Sequence, residues 1–236
     1  MTAQLDAVLF DAGGVLVLPD PTVLGPLLAP YGADQSVDAL TRAHYAGVAA
    51  QDQPGLEHDD WPAYNEAYVR RAGVPEHEVA EAALLLGRTR SAMLWRYPIA
   101  DSCVALRLLH EGGVPIGVVS NASGQIEATL RRFGVCQVDD GDGVPVLIVV
   151  DSHHVGVQKP DPGVFTPALE VLGLDPARVG YVGDSIRNDV VGATAAGMRP
   201  FLVDPFDDRA GSAFADYPPF TRVHSLHELL PLTSAA

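Results

Sequence analysis

The sequence predicts an α/β fold: a mostly parallel sheet with helices on both faces, interrupted by a helical insertion. Three observations predict it. Short apolar runs recur along the chain, each ended abruptly by small or polar residues. Helical apolar spacing fills most of the gaps between them. One long stretch, residues 19–98, has helical spacing but no run that reads as a strand. Strands that alternate with helices are joined by crossovers, which make parallel neighbours buried on both faces.

The first run lies in residues 5–10 and contains Ala7-Val8-Leu9-Phe10. It breaks at Asp11-Ala12-Gly13-Gly14, so a buried strand feeds a tight turn. Four helical stretches follow, at about residues 22–31, 36–50, 59–72 and 76–94, with prolines at 19, 21, 54, 62, 75 and 98 between and around them. They define a second small domain, residues 19–98, expected over the strand ends. Residues 1–18 and 99–236 form the α/β core. The insertion's aromatic residues, among them Tyr45, Trp61, Tyr64 and Trp95, are read as helix packing.

The alternation then resumes. Residues 101–111 carry Val104, Leu106, Leu108 and Leu109 at helical spacing, and the strand at 114–119 ends in Ser120-Asn121. A helix at 123–133 presents Ile126, Leu130 and Phe133. The strand at 146–150 ends in Asp151-Ser152, and a helix at 162–172 follows. The strand at 179–182 ends in Gly183-Asp184-Ser185, ahead of a small-residue helix at 186–196. A fifth strand, 200–203, ends in Asp204-Pro205, and the tail adds one short helix at 225–230. In sheets of this kind ligands bind at the carboxyl ends of the strands, where these polar residues fall.

Composition narrows the partners. With 236 residues, 47% of them apolar, the chain can bury a sizeable core as one large or two small domains. Its formal charge is −15, from 30 acidic and 15 basic residues. That argues against nucleic acid or an anionic membrane, both of which need a basic footprint. An anionic ligand would have to be held by a local positive cluster. Cys103 and Cys136 form neither a metal-ligand spacing nor a disulfide framework. The first residues lack the basic region of a signal peptide, and the longest apolar run, residues 144–150, is far too short to span a bilayer. The expectation is a soluble cytoplasmic protein, monomeric or homodimeric.

One residue stands out. Among the fifteen basic residues only Lys159 is a lysine. It follows the third core strand, where a compact ammonium with three donors suits a phosphate or a group of carboxylates better than a broad guanidinium. Taken together, the strand ends offer Asp11, the Ser120 hydroxyl with Asn121, Lys159, and Asp184 with Asn188 and Asp189. Phosphoryl transfer needs such a set: a carboxylate nucleophile, donors for phosphate oxygens and carboxylates for a divalent cation.

With these residues the chain resembles the haloacid dehalogenase-like (HAD) hydrolases that carry a helical cap between the first two motifs. The matching segments are Phe10-Asp11-Ala12-Gly13-Gly14-Val15-Leu16, Val118-Val119-Ser120-Asn121, Lys159-Pro160-Asp161-Pro162, and Val182-Gly183-Asp184-Ser185 with Asn188-Asp189 and Gly192-Ala193. All four motifs occur in order over nearly the whole chain. The resemblance implies a Rossmann-like core and a Mg²⁺-dependent phosphatase acting on a small phosphorylated metabolite. It makes Asp11 the nucleophile, forming an aspartyl phosphate that water hydrolyses. Asp11, the carbonyl of Gly13 and Asp184 would hold Mg²⁺. Ser120, the N–H of Asn121, Lys159 and the Ala12-Gly13 turn would meet the phosphoryl group. Asn188 or Asp189 would orient Lys159 or a metal-bound water.

The chain departs from the pattern at Gly13, where the family's phosphatases usually place an aspartate as general acid and base. Such help contributes about 10²–10⁴-fold. Four readings stay open: a substrate with a good leaving group, a proton supplied from the insertion by His44 or His58, a reaction other than phosphoryl transfer, or a site that only binds. The family's 2-haloacid dehalogenases use the aspartate against carbon without a metal and lack the Gly-Asp pair of the fourth motif. Here Gly183-Asp184 is present, and two neighbouring carboxylates with no cation between them repel. Two smaller signals read as surface features: His153-His154 as an extended, solvated loop that does not chelate, and Asp139-Asp140-Gly141-Asp142-Gly143 as an acidic hairpin turn.

Overall fold

The computed structural model describes residues 4–55, 60–210 and 214–233. Strand β1 (Ala7–Phe10) leads into β2 (Val17–Pro19). Helices α1 (Pro21–Leu28), α2 (Val37–Gln51), α3 (Trp61–Arg71) and α4 (Val79–Thr89) follow, and β3 (Trp95–Pro98) pairs with β2. The chain continues through α5 (Ala100–Glu111), β4 (Ile116–Ser120), α6 (Ile126–Arg132), β5 (Cys136–Gln137) and β6 (Val144–Pro145). It ends through β7 (Val149–Asp151), α7 (Ser152–Val155), α8 (Thr166–Leu172), β8 (Val179–Gly183), α9 (Val191–Ala195), β9 (Arg199–Val203) and β10 (Thr221–Val223).

Two compact units result. One is α/β and comprises Met1–Val17, Pro98–Pro205 and Tyr217–Ala236; the other is helical and comprises Leu18–Tyr97 with Phe206–Asp216.

In the α/β unit six strands form one parallel sheet in the order β10-β9-β8-β1-β4-β7. The strand order reverses direction at β1, which is flanked by β4 and β8. Phe10 is in register with Val118 on one side and Val182 on the other. The next residue, Asp11, therefore emerges between the ends of two strands, at the switch point where such sheets bind ligands. All four residues of β1 are buried, as a central parallel strand requires. Leu9, Val119, Phe165, Ala168, Val179 and Tyr181 belong to the core cluster on one side of the sheet.

The helical unit has its own core, built from residues such as Leu24, Leu28, Leu40, Tyr64, Tyr68 and Leu86. Its helices start where side-chain oxygens cap free N–H groups: Asp20 takes Thr22 N, Ser36 takes Ala39 N and Asp60 takes Ala63 N. Gly47 lets α2 approach α3, because a β-carbon there would collide with the Tyr64 ring.

Several expectations are corrected. The stretch expected to be free of strands is bounded by β2 and β3, each too short and too proline-marked for an alternating pattern. A sixth strand, β10, went unread because Thr221-Arg222-Val223 is brief and only its last residue is buried. Phe206 and Arg209, expected in the core domain, belong to the helical unit instead, where Phe206 meets Arg42 and Tyr45 and the buried Arg209 pairs with the buried Asp52 at 3.4 Å. The loop at 139–143 is no hairpin, since β5 and β6 pair in parallel and the Gln137 amide closes the loop onto Gly143. On α5 the buried face is Ser102, Ala105, Leu106 and Leu109, while Val104 and Leu108 are exposed. His153 and His154 lie on the short helix α7 rather than on extended chain, and both are exposed.

Candidate active site

Asp11 is anchored by its own backbone, its N–H donating to Val182 O at 2.8 Å. Its Oδ1 accepts from Ala12 N at 2.7 Å and lies 3.0 Å from Lys159 Nζ. The N–H of Ala12, expected against a phosphoryl oxygen, is thus used on the aspartate itself. The following turn is closed by Gly14, whose φ of 65° suits glycine, with its N–H donating to Val17 O at 2.9 Å. Ser120 is the last residue of β4 and is buried beside Asp11.

Lys159 is 1% exposed. Its ammonium reaches three acceptors: Asp189 Oδ1 at 2.6 Å, Tyr181 Oη at 2.9 Å and Asp11 Oδ1 at 3.0 Å. Three N–H donors and three oxygens match, so burial leaves no donor of the ammonium unpaired. The backbone of Lys159 is clamped by Asn121, whose Oδ1 accepts from Lys159 N at 2.8 Å and whose Nδ2 donates to Lys159 O at 3.0 Å. Sequence reading used only the N–H of Asn121, and the side chain's role required the two loops to be seen together.

Both oxygens of Asp189 are engaged. Oδ1 takes Lys159, and Oδ2 accepts from Asp184 N at 3.1 Å and Ser185 N at 2.9 Å. It reaches that position because Gly183 has no side chain; a β-carbon there would overlap the Asp189 carboxylate. Of the two residues considered for orienting Lys159, the structure places Asp189 on it, while the N–H of Asn188 donates to Ser185 Oγ at 3.2 Å. Tyr181 was not anticipated. It sits inside a strand that reads as pure core, yet its hydroxyl donates to Val119 O at 2.8 Å and accepts from Lys159.

Carboxylate oxygens of Asp11, Asp184 and Asp189 lie within 4.8 Å of one another. Two of the three, Asp11 and Asp189, also contact the ammonium of Lys159. Burial drives the Asp11 carboxyl up to about 7, with Lys159 opposing the rise, the charges of Asp189 and Asp184 adding to it, and a hydrogen bond from Ser120 opposing it. Burial lowers the affinity of Lys159 for its proton, but Asp11 and Asp189 more than offset this, and its pKa is raised. The donor set, three carboxylates offering oxygen, fits a hard divalent cation.

His44 lies inside the helical unit, Nδ1 2.9 Å from Tyr64 Oη and edge-on to the Tyr45, Tyr64 and Trp95 rings. His58 lies outside the described residues. Among the described residues no helix is long and apolar enough to cross a membrane.

The model of the haloacid dehalogenase-like hydrolase family matches residues 5–197. The chain belongs to that family. This HAD-like hydrolase is 33% identical over 168 residues to the haloacid dehalogenase-like hydrolase domain-containing protein 3 of Mus musculus, a stretch that spans 69% of this chain and 62% of the mouse protein. It is 35% identical over 141 residues to the glyceraldehyde 3-phosphate phosphatase of Methanopyrus kandleri, covering 58% of this chain and 56% of that one. Among solved structures, the HAD phosphatase from Thermococcus onnurineus aligns over 98% of this chain and 99% of its own at 21% identity, with a TM-score of 0.59. A dehalogenase captured as an intermediate complex aligns over the whole of both chains at 20% identity, with a TM-score of 0.61. At such identities the likeness shows the fold, and phosphatase and dehalogenase chemistry share it.

Proposed function

We propose that this HAD-like hydrolase is a Mg²⁺-dependent phosphatase of small phosphorylated metabolites that works through an aspartyl phosphate on Asp11. One observation carries the reading: carboxylate oxygens of Asp11, Asp184 and Asp189 lie within 4.8 Å of one another, with Asp11 and Asp189 also on the ammonium of Lys159. A metal-free attack on carbon has no use for Asp184 beside Asp11. A phosphatase uses the two together to hold a cation. Asp11, Asp184 and the Gly13 carbonyl would hold the ion, which supplies positive charge against the phosphoryl oxygens.

In this reading an Asp11 oxygen attacks phosphorus and the bond from phosphorus to the substrate oxygen breaks. Water then attacks the phosphorus of the aspartyl phosphate, releasing inorganic phosphate and regenerating Asp11. The Ser120 hydroxyl and the N–H of Asn121 donate to the phosphoryl oxygens. Lys159, held by Asp189 and Tyr181, favours the ionised form of Asp11 and fixes its position, and exchanges one of its three bonds when it meets phosphate. Gly13 moves no proton, so the enzyme favours esters whose leaving oxygen departs without protonation, such as aryl, acyl or anomeric sugar phosphates. The relatives named glyceraldehyde 3-phosphate phosphatase and phosphoserine phosphatase support a small phosphorylated substrate.

The test is hydrolysis of an aryl phosphate with Mg²⁺, repeated with EDTA and with Asp11→Asn. Turnover that needs both the ion and Asp11 is expected. Phosphate binding without turnover on any ester would favour a binding protein instead. Halide release from a 2-haloacid that survives EDTA would overturn the phosphatase reading.

A further inference from the structure

Four of the five strand ends picked out in the sequence supply groups to the site or lie in the tail. The remaining one, Asp151-Ser152 at the end of β7, has no part in the chemistry above. Both residues are buried. Asp151 is in register with Ser120 on the neighbouring strand, and its carboxylate faces the loop that leaves Ser120.

That carboxylate is fully committed to backbone. Oδ2 accepts from Gly124 N at 2.8 Å and Ile126 N at 3.4 Å, and Oδ1 accepts from His153 N at 3.0 Å. Beside it, Ser152 Oγ accepts from Ala122 N at 3.2 Å and donates to Ala122 O at 3.4 Å. Asn121 is tied to the backbone of Lys159 by two further bonds. The segment from Asn121 to Ile126, which turns through Gly124 at a φ of 90°, is therefore held by the side chains of Asp151 and Ser152 and by the bonds of its own Asn121 to the backbone of Lys159. No regular secondary structure holds it until α6 begins.

We propose that Asp151, assisted by Ser152, is a positioning residue for the phosphoryl site: it fixes the loop that carries the Asn121 N–H next to Ser120. The inference rests on the phosphatase reading for its kinetic consequence, but its structural part stands apart from it. Fixed donors aimed at a phosphoryl group matter more in the transition state than in the ground state. Loss of the brace should thus lower kcat more than it raises KM.

Three measurements on Asp151→Ala, Asp151→Asn and Ser152→Ala test this: steady-state kinetics on an aryl phosphate with Mg²⁺, binding of inorganic phosphate, and amide hydrogen exchange. Asp151→Ala should lower kcat by about 10–100-fold, as loss of a supporting partner commonly does, with KM within about 3-fold. The amides of Gly124 and Ile126 should exchange faster while those of β8 do not change. Asp151→Asn keeps one oxygen that can face Gly124 and Ile126, so it should recover much of the loss. Ser152→Ala should show a smaller effect of the same kind. The proposal falls if Asp151→Ala keeps kcat. It also falls if activity drops only in step with the folded fraction while β8 amides accelerate too. If the wild-type protein turns over no phosphate ester, the phosphatase reading fails by itself. Exchange and phosphate binding then decide the brace: faster loop exchange with weaker phosphate binding sustains it, and no change in either removes it.

Discussion

The two units each bury charge, in different settings. In the helical unit the guanidinium of Arg209 meets the carboxylate of Asp52, with both side chains fully buried. In the α/β unit the ammonium of Lys159 meets both Asp11 and Asp189, and carboxylate oxygens of these two and of Asp184 lie within 4.8 Å of one another. The first contact ties a distant segment of chain to the end of α2. The second crowds carboxylates together, and the charges of Asp189 and Asp184 raise the pKa of Asp11. A pair holds the chain together, whereas crowded carboxylates are the arrangement that a bound cation would relieve.

The sharpest way to break the comparison is Asp11→Asn. It removes the nucleophile and should abolish turnover to below about 10⁻⁴ of wild type on the scale of nucleophile deletions. Yet it also removes one of the crowded carboxylates, so thermal melts in EDTA at pH 7.5 should show a Tm no lower than wild type, and a clear drop would contradict the crowding. Next in size is Arg209→Met, which takes the cation from Asp52. It should cost about 3–5 kcal/mol of stability in denaturant melts. Turnover per folded molecule should stay the same, and a lower kcat would erase the division between the two clusters.

Lys159→Arg sharpens the point by keeping the charge. The pocket at Lys159 holds a three-donor point charge, and a planar fork cannot reproduce bonds to Asp189, Tyr181 and Asp11. A loss of about 10²–10³-fold in kcat is expected, the size seen when one preorganised donor is removed. If arginine substitutes freely, the lone lysine is only a product of composition.

The smallest effect is in pH. Asp11 is held at about 7 in the folded protein against a usual 3.8, chiefly by burial. Between these values the folded chain keeps a proton that the unfolded chain has lost. The stability of the metal-free protein should therefore fall as pH rises from 3.8 toward 7. Melts in EDTA across that range should show this slope in wild type and a flatter one in Asp11→Asn.

Much of the site was legible in the chain because its groups sit at strand ends. Asp11, Ser120 and Asp184 each follow or close a short apolar run, Asp189 lies in the helical turn just beyond one, and the parallel alternation brings such ends together. Tyr181 was hidden because a tyrosine inside a buried strand reads as core, and only its hydroxyl contacts with Val119 and Lys159 set it apart. The setting of His44 was equally hidden: it packs edge-on to the rings of Tyr45, Tyr64 and Trp95, which no local pattern encodes.

The sequence by itself determined the α/β class, five of the six strands of the main sheet, the helices of the insertion and the order in which acid, hydroxyl, ammonium and acid reach the sheet edge. These are local properties, set by apolar periodicity and by what ends each run. Tertiary structure alone decided which carboxylate holds Lys159, that Asn121 and Asp151 brace the loops, and that Phe206 and Arg209 leave the core for the helical unit. Each of those rests on a hydrogen bond or ion pair between residues far apart in the chain, such as Asp52 and Arg209, and no local pattern encodes such a pairing.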